Sequence, residues 1–207
     1  TGIPINGLIW MGDPGFMKEQ VRQKLDLGWR CLKLKIGALQ FDEELAILKD
    51  IRAEYSADDV ILRVDANGGF SPAQAMDRLG QLAELNIHSI EQPIAKGQWQ
   101  QMAGLCRQSP LDIALDEELI GIGSREEKIN LLDTLAPPYL VLKPSLHGGM
   151  KGCDEWIELA DARGIGWWVT SYLESNLGLN AIAQWAFLKQ PRLHQGLGTG
   201  QLFTNNM

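Results

Sequence analysis

The sequence predicts an α/β protein of the (β/α)8 TIM-type barrel class, and three observations lead to this prediction. Short segments rich in β-forming residues alternate with longer segments of helical period, which is typical of parallel strands joined by crossover helices. The predicted strands end near residues 35, 65, 91, 116, 143, 171 and 197, so the repeat is even, at 25 to 30 residues. Even spacing over eight strands favours a barrel over an open dinucleotide-binding sheet, which would also require GxGxxG after its first strand.

The strands are read from runs of β-branched, aromatic and other apolar residues. They are predicted at 3–10, 30–36, 59–65, 88–92, 112–116, 139–143, 166–171 and 193–197. The chain begins almost directly with the first of these strands and stops at GQLFTNNM soon after the eighth. We therefore expect residues 1–207 to be one barrel domain taken from a longer protein.

The helices are read from helical period and from residues that start or stop helices. The first, at 16–27, ends before Gly28, because glycine readily adopts a left-handed stop. Serine followed by proline at 71–72 predicts the start of a helix, with serine as its cap. The segment 124–127 reads Ser-Arg-Glu-Glu and predicts a capping box. A further helix is predicted over 150–163.

Composition excludes several classes of function. A length of 207 residues suits one domain. The net charge of −7 disfavours a nucleic-acid partner, because phosphate binding requires clustered lysine and arginine. We expect no membrane partner, because no apolar run approaches the roughly 20 residues that cross a bilayer. The three widely spaced cysteines fit neither a disulfide framework nor a CxxC site, so we expect a cytoplasmic protein.

Acidic residues stand at the carboxyl ends of three successive predicted strands, where a barrel keeps its active site. They are Asp65, Glu91 and Asp116. One such acid alone is usually a helix cap or a surface ion pair. Three together repel one another unless a cation joins them, and oxygen ligands without nearby histidine or cysteine select Mg²⁺ or Mn²⁺. The joint pattern therefore predicts a divalent-metal site.

Lysines flank these acids on the neighbouring strands. Lys33 and Lys35 end the second strand and Lys143 ends the sixth. Two lysines in a strand are most often a solvated face, but here the strand interiors are otherwise apolar. A lysine near a cation and a second lysine has a lowered pKa, which suits a base that removes a proton beside a carboxylate. A metal ion bound to that carboxylate stabilises the resulting enediolate.

Five motifs then resemble the muconate-lactonizing branch of the enolase superfamily. In chain order they are LKLKIG (32–37), RVDAN (63–67), IEQP (90–93), LDEEL (115–119) and LKPS (142–145). The resemblance covers essentially the whole chain. It implies a C-terminal barrel domain whose N-terminal α+β capping domain is missing from these residues, and a lysine base working with Mg²⁺.

The resemblance also implies roles for single residues. The metal ligands would be the three acids, Lys35 would be the acid and base on one face of the substrate, and Lys143 would lie on the opposite face. Lys33 would tune Lys35 and touch the carboxylate. Asn67 and Glu117 would orient the ligands.

Within the branch, the sequence looks most like the o-succinylbenzoate synthases of menaquinone-making bacteria. The segment TSYLESNLGLNA (170–181) resembles their seventh strand, where Ser171 would contact the succinyl tail. The eighth strand, HQGLGTGQLF, carries no acid to hold a substrate ammonium, and its Gly196 would also line the substrate. We therefore expect a carbon–oxygen lyase that dehydrates 2-succinyl-6-hydroxy-2,4-cyclohexadiene-1-carboxylate to o-succinylbenzoate.

Several alternatives stay open at this point. The chain could be another member of the branch, namely a muconate cycloisomerase, an N-acylamino-acid racemase or a dipeptide epimerase, or a barrel without catalytic activity. Gly196, Gly198 and Gly200 could instead cradle a phosphate. His147 could line the site or be an ordinary loop residue. A homo-oligomer is also open, and the substrate is expected to be a small carboxylate.

Overall fold

The computed structural model describes residues 2–37 and 39–200. Seven parallel strands form one sheet in sequence order. The strands are β1 (Gly7–Ile9), β2 (Cys31–Lys35), β3 (Ile61–Asp65), β4 (Ser89–Glu91), β5 (Ile113–Leu115), β6 (Tyr139–Leu142) and β7 (Gly166–Val169). This sequential order confirms the predicted parallel α/β architecture.

Helices follow the strands, as the alternating pattern predicted. They are α1 (Pro14–Asp26), α2 (Phe41–Glu54), α3 (Pro72–Ala83), α4 (Trp99–Gln108), α5 (Arg125–Leu135), α6 (Gly149–Asp161) and α7 (Asn176–Leu188). A short 3-10 turn, Glu117–Leu119, follows β5. None of the helices within the described residues is both long and apolar enough to cross a membrane.

The helix ends agree with their sequence signals except at one cap. Gly28 follows α1 with a φ of +82°, the left-handed conformation expected of it. Ser124 and Glu127 form the reciprocal capping box at the start of α5. Ser71 occupies the N-cap of α3, but its hydroxyl donates to the side chain of Gln74 at 2.8 Å instead of capping the backbone.

The segment predicted as the eighth strand is hydrogen-bonded to both edges of the seven-stranded sheet. Asn6 donates its N–H to the carbonyl of Gln195 at 3.0 Å, and Gly196 donates to the carbonyl of Val169 at 2.7 Å. The pairing consists of single bridges and not of a ladder. A Cβ on Gly196 would lie 2.5 Å from Oγ1 of Thr170, so only glycine permits this close approach.

The lower interior is the space enclosed by the curved sheet below the carboxyl ends of its strands, and it is filled by side chains. Trp168 packs there with Ala114 and Val141, and the guanidinium of Arg63 lies 4.0 Å from its ring centroid. The larger apolar cluster lies between the strands and the helices. Because the lower interior is filled, open space is left at the carboxyl ends of the strands.

Candidate active site

The three predicted acidic residues meet at the carboxyl ends of β3, β4 and β5. Asp65 pairs in register with Glu91, so both side chains leave the sheet at the same level. One oxygen from each of Asp65, Glu91 and Asp116 lies within 4.8 Å of the others. All three residues are buried, with exposed fractions of 1%, 0% and 1%. The structure therefore brings together the acids that the sequence singled out.

The three lysines surround this carboxylate cluster. Nζ of Lys33 lies 3.1 Å from Asp65 and 2.7 Å from Glu91. Nζ of Lys35 lies 3.0 Å from the same oxygen of Asp65, because alternate residues of a strand share one face. Nζ of Lys143 lies 2.6 Å from an oxygen of Asp116. Lys35 and Lys143 thus reach the cluster from strands on opposite sides of it.

Burial and charge act differently on the three carboxyl groups. Burial raises the pKa of Glu91 to about 7, and its acidic neighbours add to the effect of burial, against the pull of Lys33. Burial likewise raises the pKa of Asp116, although Lys143 opposes the change. Burial also disfavours the charged form of Asp65, but Lys33 and Lys35 together hold its pKa below the usual value.

The ammonium of Lys33 is held in its charged form by the acids around it. Burial alone would lower its pKa, but Glu91 and Asp65 raise it above the usual value. One oxygen of the cluster still lacks a donor or cation, because Oε1 of Glu91 is buried without a hydrogen-bond partner. A buried carboxylate oxygen without a donor fits a cation ligand.

Asn67 and Glu117, predicted to orient the ligands, lie beside the cluster. The backbone N–H of Asn67 donates to Oδ1 of Asp65 at 3.0 Å. Its side-chain amide donates to Glu117 at 2.9 Å, and its Oδ1 accepts from Lys35 at 2.7 Å. Asn67 therefore contacts both a candidate ligand and a candidate base.

His147 contacts the backbone of Lys143. Its ring Nδ1 accepts the backbone N–H of Lys143 at 3.0 Å, and its backbone N–H donates to the carbonyl of the same residue at 3.0 Å. Burial lowers the pKa of His147 to about 4, with help from Lys143 and Lys128. His147 is thus a neutral, buried residue that holds the turn after β6, a role that sequence reasoning did not find.

A cavity of about 290 Å³ opens beside the cluster. Five of the predicted residues around it have side chains on its wall: Lys33, Lys35, Asp65, Asp116 and Lys143. Ser171 and Gly196 also line it, and the hydroxyl of Ser171 lies 2.6 Å from that of Thr199.

The cavity is also lined by residues that sequence reasoning missed. Asn6, Leu8 and Trp10 line the cavity from the β1 region. Their period of two is a signal that would have identified a common face. A Cβ on Gly198 would lie 2.8 Å from the carbonyl oxygen of Asn6, so close packing explains this glycine.

Comparisons with known proteins agree with the fold and with the motifs. Residues 16–202 match the family described as enolase C-terminal domain-like. The chain is 60% identical over 205 residues to o-succinylbenzoate synthase of Desulfotalea psychrophila, covering 99% of this chain and 55% of that protein. It is 33% identical over 151 residues to o-succinylbenzoate synthase of Thermosynechococcus vestitus, covering 70% of this chain and 44% of that protein.

Solved structures give the same picture. The crystal structure of MenC from Desulfotalea psychrophila superposes with a TM-score of 0.93 at 58% identity, covering 100% of this chain and 57% of that one. Muconate cycloisomerase from Pseudomonas fluorescens superposes with a TM-score of 0.87 at 30% identity, covering 99% and 56%. The chain thus spans about half the length of the relatives it matches. The expected resemblance is confirmed, and the chain belongs to the enolase C-terminal domain-like family.

Proposed function

We propose that this chain is the catalytic barrel of an o-succinylbenzoate synthase, which removes water from 2-succinyl-6-hydroxy-2,4-cyclohexadiene-1-carboxylate. The observation that carries the proposal is the buried cluster of three carboxylates with lysines on opposite sides, of which Asp65, Asp116 and the lysines line one cavity. The identity of 60% to a synthase supports this choice within the family. The proposal includes closure of the sheet into an eight-stranded barrel by the segment around 195–196.

The domain organisation is part of the same proposal. Residues 1–207 would form the barrel domain of a longer protein in which an N-terminal capping domain covers the cavity. Its support is that the matched relatives are nearly twice as long as this chain. A cover excludes water and thereby strengthens charge interactions within the site.

A divalent cation, Mg²⁺ with Mn²⁺ as an alternative, would be held by Asp65, Glu91 and Asp116. The all-oxygen donor set and the unpartnered Oε1 of Glu91 fit such an ion. When bound, the ion supplies positive charge to the oxygens of the substrate carboxylate. Asn67 would orient Asp65 through the bond from its N–H.

Lys35 would carry the proton transfers. As a neutral amine it would take the proton from the carbon beside the ring carboxylate. The same group, now an ammonium, would give that proton to the departing hydroxyl, which leaves as water. Aromatisation of the ring makes the overall reaction favourable, so the residues need mainly to position the substrate and stabilise charge.

Lys143 and Lys33 would act through their charges. Lys143 would lie on the opposite face of the ring. Its ammonium would stabilise the negative charge that develops there, because a cation is attracted to the face of a π system. Lys33, bonded to both Asp65 and Glu91, would hold these two ligands together and tune Lys35 through the Asp65 oxygen that both lysines contact.

The succinyl chain would lie against the hydroxyl-lined part of the cavity. Ser171 and Thr199 offer hydroxyl groups there, and Gly196 leaves room for the chain. An ammonium group on the substrate would find no acid among the described residues of the eighth segment, 193–200. This favours a substrate without an amine over a dipeptide.

The second candidate is racemisation of an N-acylamino acid. It is favoured by one observation, the approach of Lys35 and Lys143 to the cluster from opposite sides. One lysine would remove the α-proton and the other would deliver a proton to the other face.

A parallel assay separates these candidates. The full chain and a full-length relative would be supplied with the cyclohexadiene acid, N-acylamino acids, dipeptides and muconate, each with Mg²⁺ and with a chelator. We expect Mg²⁺-dependent formation of the aromatic product from the cyclohexadiene acid. Preference for another substrate would overturn the synthase proposal, and absence of solvent deuterium exchange into every substrate would support a non-catalytic barrel.

A further inference from the structure

Gln92, next to the candidate ligand Glu91, has an unusual backbone conformation. Its φ is +38°, in the left-handed region, which is unfavourable for a residue with a Cβ. Its N–H donates to the carbonyl of Ala114 at 2.9 Å, and its carbonyl accepts from Gly68 at 2.7 Å. The loop after β3 and strand β5 therefore hold this conformation from both sides, and strain of this kind is typical of functional sites.

The side-chain amide of Gln92 is fully buried and makes four hydrogen bonds. Its Oε1 accepts the backbone N–H of Asp116 at 3.3 Å and that of Glu118 at 3.2 Å. Its Nε2 donates to the carbonyl of Ile94 at 3.0 Å and to Oε2 of Glu118 at 3.1 Å. Two of these partners can only donate and two can only accept, so the position requires a group that does both, as a primary amide does.

These bonds connect two of the candidate metal ligands by a short path. Asp116 lies just beyond the end of β5 with φ and ψ of −120° and −81°, so its backbone no longer follows the strand. Its N–H is held by the residue that directly follows Glu91. The other oxygen of Glu118 accepts the N–H of Gly97 at 2.8 Å, which ties the 3-10 turn to the loop after β4.

We infer that Gln92 is a positioning residue that sets the spacing between the carboxylates of Glu91 and Asp116, and through it the affinity of the site for a divalent cation. This inference rests on the proposed metal-dependent function. Gln92 does not itself contact the cation, because its amide is used in full by the backbone and by Glu118. Residues that hold metal ligands in this way typically contribute about 10- to 100-fold to metal affinity.

The first test is Gln92→Met, which has similar length but neither donates nor accepts strongly. Mn²⁺ affinity of the full chain, measured by titration calorimetry, is expected to fall by about 10- to 100-fold. The matched control is Gln98→Met, since the side chain of Gln98 donates to the nearby carbonyl of Ala95 and lies outside the cluster. The control is expected to retain the parent affinity.

An exchange of groups tests the same contact without loss of polarity. Gln92→Glu alone places a second buried carboxylate against Glu118, so both folding and Mn²⁺ affinity are expected to suffer. Adding Glu118→Gln restores one carboxylate and one amide, which again bond each other and the backbone N–H groups, although the carbonyl of Ile94 loses its donor. The double variant is expected to recover affinity relative to the single Gln92→Glu variant.

The possible results of these titrations distinguish the proposed function from the role of Gln92. Failure of the parent chain to bind Mn²⁺ would overturn the proposed function and the inference together. Parent-like affinity in a folded Gln92→Met variant would overturn the inference alone. Where Gln92→Met does not fold, the exchange decides: recovery in the double variant supports the inference, and affinity no better than in the single variant overturns it.

Discussion

Glu91→Gln is expected to stabilise the protein and at the same time remove its affinity for divalent cations. The carboxyl group is fully buried, one of its oxygens has no partner, and its acidic neighbours oppose its charge. If only the stability of the folded protein mattered, a carboxylate would not be favoured at position 91. The amide removes the charge that folding disfavours, and with it a ligand that the cation needs.

The magnitude follows from the pKa. A carboxyl group with a pKa of about 7 in the folded protein and 4.5 in the unfolded chain lowers stability at pH 7 by about 3 kcal/mol. Because the folded pKa is the higher one, this cost is absent below pH 4.5 and grows as the pH rises towards 7. The amide keeps a weaker bond to Lys33, so we expect a net gain of about 1–3 kcal/mol at pH 7.

Urea unfolding at pH 5 and pH 7 without divalent ions measures the gain, and Mn²⁺ calorimetry measures the loss of affinity. Glu84→Gln, at the exposed C-cap residue of α3, is the control and is expected to change neither quantity. The reasoning would be refuted by destabilisation at pH 7, by a gain independent of pH, or by undiminished Mn²⁺ binding.

Three further predictions concern the lysines, a histidine and a helix cap. Lys35→Ala and Lys143→Ala are each expected to lower turnover by at least about 100-fold while calorimetry still detects Mn²⁺ binding; near-normal dehydration by both variants would exclude the proposed roles. His147 has a pKa of about 4 in the folded protein against 6.5 in the unfolded chain, because the folded protein favours the neutral ring. The contribution of this neutral ring to the free energy of unfolding is complete above pH 6.5 and is lost as the pH falls towards 4. Between pH 7 and pH 5 the parent is therefore expected to lose about 2 kcal/mol more than His147→Asn in urea unfolding, and parallel losses would contradict this. Ser124→Ala removes the capping box of α5 and is expected to cost about 1 kcal/mol, read from the same unfolding curves; an unchanged midpoint would show that the cap contributes nothing.

The acids and lysines were predictable from sequence because parallel strands place their carboxyl ends at one edge. Once the strand ends were marked, Asp65, Glu91 and Asp116 had to lie at the same level, and β2 had to present Lys33 and Lys35 on one face. Their joint occurrence indicated a metal site without any knowledge of side-chain contacts.

The bonds within the cluster were not predictable in the same way. Lys33 was expected to tune Lys35 and to touch the substrate carboxylate, but its position between Asp65 and Glu91 was not part of the prediction. The reach of a long side chain depends on the curvature of the sheet, which the spacing of motifs does not contain. Gln92 was hidden for a related reason, since its partners are backbone groups of a turn that follows another strand.

The eighth segment shows a further limit of pattern reading. Its apolar and glycine residues predicted a strand over 193–197, but within it Gln195 and Gly196 make single bridges to the two edges of the sheet. The side chain of Gln195 also accepts the N–H of Val169 at 2.7 Å, so part of the pairing is made by a side chain in place of the backbone. Local propensity cannot distinguish whether the backbone N–H and C=O groups at a sheet edge are paired by another backbone segment or by a side chain.

The proposed function requires that Asp65, Glu91 and Asp116 bind one divalent cation between Lys35 and Lys143. Anomalous diffraction from crystals grown with Mn²⁺ tests it most directly. We expect one strong peak within coordination distance of all three carboxylates, about 2.0–2.1 Å from an oxygen of each if the ion binds as magnesium does. A peak elsewhere in the molecule, or none at this cluster in well-ordered crystals containing Mn²⁺, would contradict it.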